Sequence, residues 1–268
     1  MSDETTQQMI RAAIAAADEI MAVYGREFGA QHKSDGSPVT EADQRAEVVI
    51  LDHLRATGVP VLGEESVAAG VIPPLDGKFF VVDPLDGTKE FIKRNGEFTV
   101  NIALTECGRP RAGVVLAPAT GALYWGDAAG AFSAKVTDGT VSDARPIRVA
   151  EAGPLRIVAS RSHGHAALAS LCDQLKVERD VSVGSSLKFC LLATGEAQLY
   201  PRFTPTSEWD TAAGQAVLEA AGGVVWDLDG AALTCGHRDR GFLNGFFVAA
   251  ASAGLASRAL DEMRRLVG

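Results

Sequence analysis

The most informative stretch of this sequence is Lys78-Phe79-Phe80-Val81-Val82-Asp83-Pro84-Leu85-Asp86-Gly87-Thr88. Its first half is apolar, β-branched and aromatic, which predicts a buried strand. Pro84 cannot donate a hydrogen bond to a sheet ladder, so we expect the strand to end where the carboxylates begin. The sequence therefore predicts that Asp83 and Asp86 lie on a tight turn at the end of a buried strand.

This turn carries groups that suit both a divalent cation and a phosphate. Asp83, Asp86 and the backbone carbonyl of Leu85 are hard oxygen ligands, which Mg²⁺ prefers. Gly87 lets the backbone approach an anion closely, and Thr88 adds a hydroxyl group. A short helix beginning just after the turn would place the amides of these last two residues at its positive end, where phosphate binds. We therefore expect a metal ion and a phosphate group at one turn.

Composition and charge limit the class of protein. The chain has 268 residues, of which 47% are hydrophobic, enough for a substantial core in one large domain or two smaller ones. The formal net charge of −9 argues against a basic face that binds polymeric nucleic acid or an anionic membrane, whereas a small anion stays compatible with it. The four cysteines lie far apart without a C-x-x-C pair, so they indicate neither a zinc site nor a disulfide framework.

The sequence also carries an expectation about location. Its first residues, Met1-Ser2-Asp3-Glu4, are acidic and do not have the pattern of a signal peptide. No apolar run approaches the roughly 20 residues of a transmembrane helix. We therefore expect a cytoplasmic protein without a transmembrane segment, either free or peripheral at the cytoplasmic face of the inner membrane.

Two helices are predicted near the start of the chain. Apolar residues recur at the spacing of an amphipathic helix from Glu4 to Tyr24. Thr40 followed by Asp43 has the pattern of an N-cap with an acid at the third helical position, and predicts a second helix that ends near Arg55. Asp43 therefore has two interpretations, as a helix-capping acid or as a member of a functional site.

Strand patterns divide the chain into two predicted domains. Alternating residues between 98 and 126 predict antiparallel strands, which complete an α+β domain at residues 1–150. Residues 137–146 are polar and contain Gly and Pro, which indicates the approach to a boundary. Strands and helices then alternate over residues 151–268, which predicts a layered α/β domain. The predicted fold class is therefore α/β with an α+β N-terminal half.

Two further acids lie at the predicted ends of elements. Glu64 follows a short strand, on the loop Gly63-Glu64-Glu65-Ser66, and Asp210 lies in the first turn of a helix. The helix dipole alone favours an acid in a first turn, so Asp210 by itself indicates little. Glu64, Asp83, Asp86 and Asp210 together, however, lie where α/β folds build their sites. With the carbonyl of Leu85 they would complete two metal sites.

Three motifs in this sequence resemble those of the lithium-sensitive, magnesium-dependent phosphatases of the inositol monophosphatase superfamily. They are Gly63-Glu64-Glu65-Ser66, Asp83-Pro84-Leu85-Asp86-Gly87-Thr88 and Trp209-Asp210-Thr211-Ala212-Ala213-Gly214. The resemblance spans nearly the whole chain. It implies a layered αβαβα sandwich and a metal-dependent phosphoric monoester hydrolase.

Four other segments are similar to those of the bacterial 3′(2′),5′-bisphosphate nucleotidases of this superfamily. They are residues 89–104, 160–163, 184–190 and 198–203. This similarity implies hydrolysis of 3′-phosphoadenosine 5′-phosphate, and of its 5′-phosphosulfate, to AMP or adenosine 5′-phosphosulfate plus phosphate, in sulfate assimilation. The sequence of residues 63–70 is more similar to that of the inositol phosphatases than to that of the nucleotidases. An inositol monophosphatase or a broad sugar-phosphate phosphatase is therefore the alternative.

The resemblance implies a set of metal ligands. A first Mg²⁺ would bind Glu64, Asp83 and the carbonyl of Leu85, and a second would bind Asp83, Asp86 and Asp210. Asp83 would bridge the two ions, and a third ion is compatible with the family. The expected cofactor is therefore two or three Mg²⁺ ions.

The resemblance also implies catalytic and substrate-binding residues. A water activated by the cation would attack phosphorus in line, oriented by Thr88 and by an acid behind it, either Asp43 or Glu64, without a phosphoenzyme. The implied partner is a small bisphosphate nucleotide, and the oligomeric state, monomer or homodimer, stays open. The residues implied to contact phosphate or substrate are Asp86, Gly87, Thr88, Ser160, Arg161, His163, Gly184, Ser185, Ser186, Lys188, Arg202 and Asp210.

Two other classes of protein compete with this interpretation. A phosphatase of the haloacid dehalogenase type also carries paired acids after a strand and uses the first as a covalent nucleophile. Its acids are separated by one residue, whereas Pro84 and Leu85 separate them here, so the spacing disfavours this class. The second competitor is a metal-dependent nucleotide sensor without catalytic activity. Retention of every expected ligand and of Thr88 argues against such a sensor.

Overall fold

A computed structural model of the chain describes residues 3–33, 36, 38–159 and 166–267. The helices within these residues are α1 (Glu4–Tyr24), α2 (Glu41–Arg55), α3 (Glu64–Ala68), α4 (Thr88–Ile92), α5 (Ala166–Leu175), α6 (Leu187–Ala193), α7 (Glu208–Ala220) and α8 (Ala253–Val267). The strands are β1 (Ala30–His32), β2 (Pro38–Thr40), β3 (Val61–Gly63), β4 (Lys78–Asp86), β5 (Thr99–Glu106), β6 (Arg109–Ala117), β7 (Ala122–Asp127), β8 (Gly130–Thr137), β9 (Thr140–Ile147), β10 (Arg156–Ala159), β11 (Arg179–Ser182), β12 (Leu199–Arg202), β13 (Thr206–Ser207), β14 (Val224–Asp227), β15 (Leu243–Asn244) and β16 (Phe247–Ala250).

Two large sheets form the frame of the molecule. The first has seven strands in the order β3-β4-β5-β6-β7-β8-β9, antiparallel except for the parallel pair β3 and β4. The second has five strands in the order β11-β10-β12-β16-β14, with β10 parallel to both of its neighbours. The chain order thus places sequence-distant strands side by side in the second sheet.

Helices separate and cover these sheets in five alternating layers. Helices α1 and α2 pack on one face of the seven-stranded sheet. Helices α6 and α7 lie between the two sheets and share one apolar core with both of them. Helices α5 and α8 cover the outer face of the five-stranded sheet. This order confirms the predicted αβαβα sandwich.

The apolar half of β4 explains how the first sheet is held on both faces. Because successive side chains of a strand point to opposite faces, Phe80 and Val82 enter the core beneath α1 and α2, whereas Phe79 and Val81 enter the core beneath α6 and α7. All four side chains are buried. Strand β4 is therefore fixed from both sides at the point where it delivers its carboxylates.

The end of β4 differs from the sequence prediction. The strand does not stop at Pro84, because pairing with β5 continues from Asp83 opposite Asn101 to Asp86 opposite Thr99, with a bulge between the two pairs. A bulge leaves residues unpaired, so the missing amide hydrogen of Pro84 costs the ladder nothing there. The two acids consequently lie on a bulged strand end and not on a separate turn.

Two other local predictions require correction. Residues 64–68 form the short helix α3 and not a loop, so Glu64 is the first helical residue after β3. The polar segment near 137–146 includes the turn between β8 and β9 and most of β9, whose side chains are exposed except for Ile147, and it therefore lacks an apolar pattern. The predicted domain boundary near residue 150 stays a prediction. The two halves share the core around α6 and α7.

One close approach positions helix α7 against the first sheet. A Cβ at Gly113 of β6 would lie 2.3 Å from the carbonyl oxygen of Ala213 in α7. Only a residue without a side chain lets the helix pack so closely. Since α7 carries Asp210 in its first turn, this contact fixes the distance from Asp210 to the carboxylates of β4.

Candidate active site

Three carboxylates from two distant parts of the chain meet at the end of β4. One oxygen atom from each of Asp83, Asp86 and Asp210 lies within 4.8 Å of the other two. Asp83 is the most enclosed of them, with 2% of its surface exposed. Anions this close repel one another, so the cluster is stable only with bound protons or a bound cation.

Burial and the same repulsion raise the pKa values of Asp83 and Asp210. Burial, together with the negative charges of Glu64, Asp86 and Asp210, raises the pKa of Asp83 well above its usual range. Burial and the neighbouring Asp86 raise the pKa of Asp210 to about 6, although Thr206 and Arg202 oppose the shift. Without a cation the folded protein therefore binds protons at Asp83 and Asp210 more tightly than free aspartate does.

Hydrogen bonds fix the orientation of Asp86. Its Oδ2 atom accepts from the amide of Ser186 at 2.6 Å, from the hydroxyl of Ser186 at 2.9 Å and from the side chain of Asn101 at 3.2 Å. The same serine hydroxyl lies 2.7 Å from the carbonyl oxygen of Asp210. Ser186 thus ties β4 to α7 and supports Asp86 from behind.

Asp83 and Asp210 are held in a similar way. Oδ1 of Asp83 accepts from the amide of Leu85 at 2.9 Å. Asp210 accepts from the hydroxyl of Thr206 and from the amide of Ser207, the latter at 3.3 Å. Each carboxylate therefore has a fixed position before any ligand binds.

Thr88 and Asp43 form a hydrogen-bonded pair beside the cluster. Oγ1 of Thr88 lies 3.0 Å from Oδ1 of Asp43 and 3.2 Å from the carbonyl oxygen of Leu85. The other oxygen of Asp43 accepts from the amide and the hydroxyl of Thr40 at 2.7 and 2.8 Å, which completes the capping box of α2. Burial raises the pKa of Asp43, against the lowering effect of its hydrogen bonds to Thr40 and Thr88. One oxygen of Asp43 thus caps α2 and the other contacts Thr88, and its membership of a functional site stays a prediction.

Glu64 occupies a different position from the one behind Thr88. The ammonium group of Lys33 lies 2.6 Å from a carboxylate oxygen of Glu64 and 2.6 Å from one of Glu65. Burial outweighs Lys33 and raises the pKa of Glu64 to about 7. The structure therefore places Asp43, and not Glu64, beside Thr88. Glu64 lines the same cavity as Asp83.

The donor set of this site fits a hard divalent cation. It contains carboxylate oxygens of Asp83, Asp86 and Asp210, with Glu64 on the same cavity wall and the carbonyl of Leu85 within 3.2 Å of Thr88. Mg²⁺ prefers oxygen ligands of this kind. Binding of a cation would also relieve the mutual repulsion of the acids, which favours binding further.

A cavity of about 260 Å³ opens beside the carboxylates, and two cations form a further part of its lining, the cationic wall. Lys188 and Arg202 lie on that wall, together with Tyr200. The ammonium group of Lys188 donates to the carbonyl of Ser185 at 2.7 Å and lies 5.6 Å from the centre of the Tyr200 ring. The guanidinium group of Arg202 donates to the carbonyl of Thr204 at 3.2 Å and to the hydroxyl of Tyr200 at 3.2 Å.

The other predicted substrate residues separate into three groups. Gly87, Thr88, Gly184 and Ser185 line the cavity, and the hydroxyl oxygen of Ser185 is buried without a hydrogen-bond partner. Ser186 is 2% exposed and contacts Asp86, as described above. The remaining predicted contacts, Ser160, Arg161 and His163, lie outside the described residues.

Sequence reasoning missed several supporting residues. Lys33, Glu47, Asn101 and Thr206 had no assigned role, although each contacts a predicted site residue or its immediate neighbour. A charged residue on the buried face of a helix is a detectable signal, and Glu47 follows Asp43 by four residues on α2. The other three are recognisable only in three dimensions.

Comparison with known proteins identifies the family. The chain belongs to the inositol monophosphatase family, whose model matches residues 1–265. Members of this family are metal-dependent phosphatases, in keeping with the carboxylate cluster. The family assignment confirms the resemblance found in the three motifs.

Individual relatives refine this picture. The 3′(2′),5′-bisphosphate nucleotidase CysQ of Salmonella typhimurium is 47% identical over 242 residues, which cover 89% of this chain and 96% of that protein. The CysQ of Escherichia coli K12 is 47% identical over 241 residues, 88% of this chain and 96% of its own length. The crystal structure of CysQ from Bacteroides thetaiotaomicron, described as a bacterial member of the inositol monophosphatase family, has 37% identity and a TM-score of 0.76, covering 92% of this chain and 96% of its own.

Three other observations bear on the remaining predictions. An inositol monophosphatase from Anabaena also superposes with a TM-score of 0.76, but its 24% identity shows the shared fold alone. Among the helices of the described residues, none combines the length and hydropathy that crossing a membrane requires. All four cysteines lie within the described residues, and none of them is in a disulfide bond.

Proposed function

We propose that this chain is a Mg²⁺-dependent phosphatase that hydrolyses the 3′-phosphate of 3′-phosphoadenosine 5′-phosphate to give AMP and phosphate. The observation that carries the proposal is the cluster of Asp83, Asp86 and Asp210 in the lining of a cavity that Lys188 and Arg202 also line. The curated nucleotidases that are 47% identical to this chain support the substrate class. The corresponding 5′-phosphosulfate is a second substrate under the same proposal.

Glu64, Asp83, Asp86, Asp210 and the carbonyl of Leu85 would hold two or three Mg²⁺ ions. When bound, such ions supply positive charge to the transferring phosphoryl group and lower the pKa of a bound water. Asp83 would contact two of them, as the family resemblance implies, and burial and the charges of Glu64, Asp86 and Asp210 all raise the pKa of this acid. Neutralising the clustered carboxylates would remove the repulsion between them.

Thr88 and Asp43 would orient the attacking water. If the Thr88 hydroxyl donates its proton to Asp43, its lone pairs are free to accept a hydrogen bond from water. Asp43 is held by Thr40 on its other oxygen and is the nearer of the two acceptors of the Thr88 hydroxyl, the other being the carbonyl of Leu85. Orienting the water in this way would be the contribution of the pair to the rate.

The cationic wall would bind the nucleotide. A second phosphate carries negative charge that a generic phosphomonoester lacks, and Lys188 and Arg202 offer the charge-assisted hydrogen bonds that would bind it. The unpartnered hydroxyl of Ser185 gives a neutral donor on the same wall. Gly87 and Thr88, at the start of α4, would contact the phosphate that is removed.

Parallel turnover of three substrates tests the proposal. Phosphate release from 3′-phosphoadenosine 5′-phosphate, inositol 1-phosphate and a sugar bisphosphate would be measured at saturating Mg²⁺ and after removal of the metal with EDTA. We expect kcat/KM to be highest for the nucleotide by at least about tenfold, the scale of one charge-assisted hydrogen bond, and activity to vanish with EDTA.

The other outcomes of this experiment are equally informative. Faster turnover of inositol 1-phosphate would replace the nucleotidase proposal by an inositol monophosphatase. Nucleotide binding without phosphate release from any substrate would indicate a sensor. A cytoplasmic location, free or at the inner membrane, and the choice between monomer and homodimer stay predictions.

A further inference from the structure

Glu47 is a buried acid that contacts the segment carrying Glu64. It lies in α2 with 3% of its surface exposed. Its carboxylate accepts three hydrogen bonds from this segment, from the amide of Glu65 at 2.8 Å, the amide of Ser66 at 2.7 Å and the hydroxyl of Ser66 at 2.6 Å. A single side chain thus satisfies both the backbone and a side chain of α3.

The position of these donors explains why the contact is needed. Helix α3 begins at Glu64, and the first amides of a helix have no partner within the helix. The preceding residue, Gly63, has no side chain to accept from them. Glu47 takes over that capping role from another helix and brings a negative charge to the positive end of α3.

Gly63 also makes room for the carboxylate. A Cβ at this position would lie 2.7 to 2.9 Å from the carboxylate atoms of Glu47. The backbone of Gly63 is extended, with φ −105°, so no positive φ requires glycine there. The absence of a side chain at residue 63 is therefore explained by the space that Glu47 occupies.

Asp43 and Glu47 are one helical turn apart and both are buried. Asp43 contacts Thr88, and Glu47 contacts the segment that carries Glu64. Helix α2 therefore holds two separate parts of the candidate site relative to each other. Neither contact requires a ligand to form.

We propose that Glu47 is a positioning residue that fixes Glu64 for metal binding by capping α3. The inference rests on the proposed function of Glu64 as a Mg²⁺ ligand. Without the Glu47 carboxylate, the amides of Glu65 and Ser66 lose their acceptor and the start of α3 moves. Glu64 then leaves the position in which it completes the metal site.

The first test measures Mg²⁺ binding to the metal-free, full-length protein by calorimetry in the absence of substrate. We expect Glu47→Gln to weaken Mg²⁺ binding about 10- to 100-fold, the usual cost of losing a residue that orients a metal ligand. Glu41→Gln is the matched control, because it makes the same chemical change on an exposed side chain of the same helix. The control is expected to bind Mg²⁺ like the wild type.

A second variant tests the contact from the other side. Gly63→Ala places a methyl group where the Glu47 carboxylate lies, so we expect it to weaken Mg²⁺ binding in the wild-type background. In the Glu47→Ala background the same substitution has no carboxylate to displace and should add nothing. Such non-additivity is the signature of two residues that act through one contact.

Steady-state kinetics separates positioning from a loss of folding. The Mg²⁺ concentration for half-maximal activity should rise in Glu47→Gln, while the KM for the nucleotide at saturating Mg²⁺ stays at the wild-type value. A variant with wild-type Mg²⁺ affinity, or additive effects of the two substitutions, would overturn the inference. Wild-type protein that fails to bind Mg²⁺ would instead overturn the proposed function, and the inference with it.

Discussion

The cavity is lined by two groups of opposite charge, the carboxylate wall of Asp83, Asp86 and Asp210 and the cationic wall of Lys188 and Arg202. They differ in whether the protein itself compensates their charges. On one wall, Asp83, Asp86 and Asp210 accept hydrogen bonds but still repel one another, as the raised pKa values of Asp83 and Asp210 show. On the other wall, the charges of Lys188 and Arg202 already have acceptors within the protein. The first wall is thus incomplete without a cation, whereas the second is ordered before substrate arrives.

This difference separates what each wall can contribute. A cluster of buried anions gains free energy when a cation binds, because binding relieves repulsion as well as forming new contacts. A pre-ordered cation loses little side-chain entropy when an anion binds, so its contribution appears as selectivity. We therefore expect substitutions on the carboxylate wall to remove activity and substitutions on the cationic wall to change the choice of substrate.

The largest expected effect is that of Asp83→Asn. Asparagine keeps the shape and can still accept the hydrogen bond from the amide of Leu85, but it cannot neutralise a cation. We expect phosphatase activity to fall below detection at saturating Mg²⁺. The melting temperature of the metal-free protein should stay unchanged or rise, because one of the mutually repelling acids is removed. Substantial residual activity would show that Asp83 does not bridge metal ions.

The second largest effect is expected at Thr88. Valine preserves the shape of threonine but removes the hydroxyl that contacts Asp43, so Thr88→Val should lower kcat about 10²- to 10⁴-fold, the loss of a positioned proton-transfer group. Thr88→Ser keeps the hydroxyl and is the matched control, with a smaller loss. Single-turnover kinetics with both variants would measure the difference. Equal rates would assign Thr88 a structural role only.

The carboxylate wall could be predicted from the sequence because its signals are local. The apolar run before Asp83, the capping pattern at Asp43 and the first-turn position of Asp210 each reflect a property of a few adjacent residues. The five-layer sandwich, in contrast, was predicted from the resemblance of three motifs to those of the family, and the local patterns alone predicted only an α+β half and an α/β half. Even there, the bulge that extends β4 to Asp86 depends on pairing with β5 and was missed.

The supporting contacts could not be predicted because they join distant residues. Ser186 holds Asp86 from 100 positions away, and Lys33 pairs with Glu64 across 31 positions. The family resemblance implied that Ser186 contacts the nucleotide. In the structure, its amide and hydroxyl donate hydrogen bonds to Asp86. Glu65 and Lys33 look like solvated surface charges until the fold brings them together.

A third prediction concerns the cationic wall and has a smaller magnitude. Lys188→Met keeps most of the length and packing of lysine but removes the charge, and we expect it to lower kcat/KM for 3′-phosphoadenosine 5′-phosphate about 10- to 100-fold. The hydrogen bond from Lys188 to the carbonyl of Ser185 gives lysine a structural role as well. Turnover of inositol 1-phosphate separates the two roles. It should barely change if Lys188 binds the second phosphate, and should fall equally if Lys188 mainly holds the loop.

The smallest expected effect is a pH dependence of stability, to which the carboxylate wall and Glu64 contribute beside other buried acids such as Glu208 and Glu219, whose pKa values burial also raises. Burial raises the pKa of Asp210 to about 6 and that of Glu64 to about 7 in the folded, metal-free protein, above their values of 3.8 and 4.5 when unperturbed. Because the folded state then binds more protons than the unfolded state, the free energy of unfolding falls as the pH rises from the unperturbed values through the raised ones.

Melting curves in EDTA across this pH range would measure the loss of stability. The melting temperature should fall by a few °C, the size of shift expected for a chain of this length. Asp210→Asn should make the decrease smaller, because one of the titrating acids is gone. Saturating Mg²⁺ should remove the part of the decrease that comes from the site, since a bound cation favours the ionised carboxylates that protons otherwise neutralise. A melting temperature that rises over the same range in EDTA would mean that these acids are not under mutual repulsion, and the contrast between the two walls would then fail.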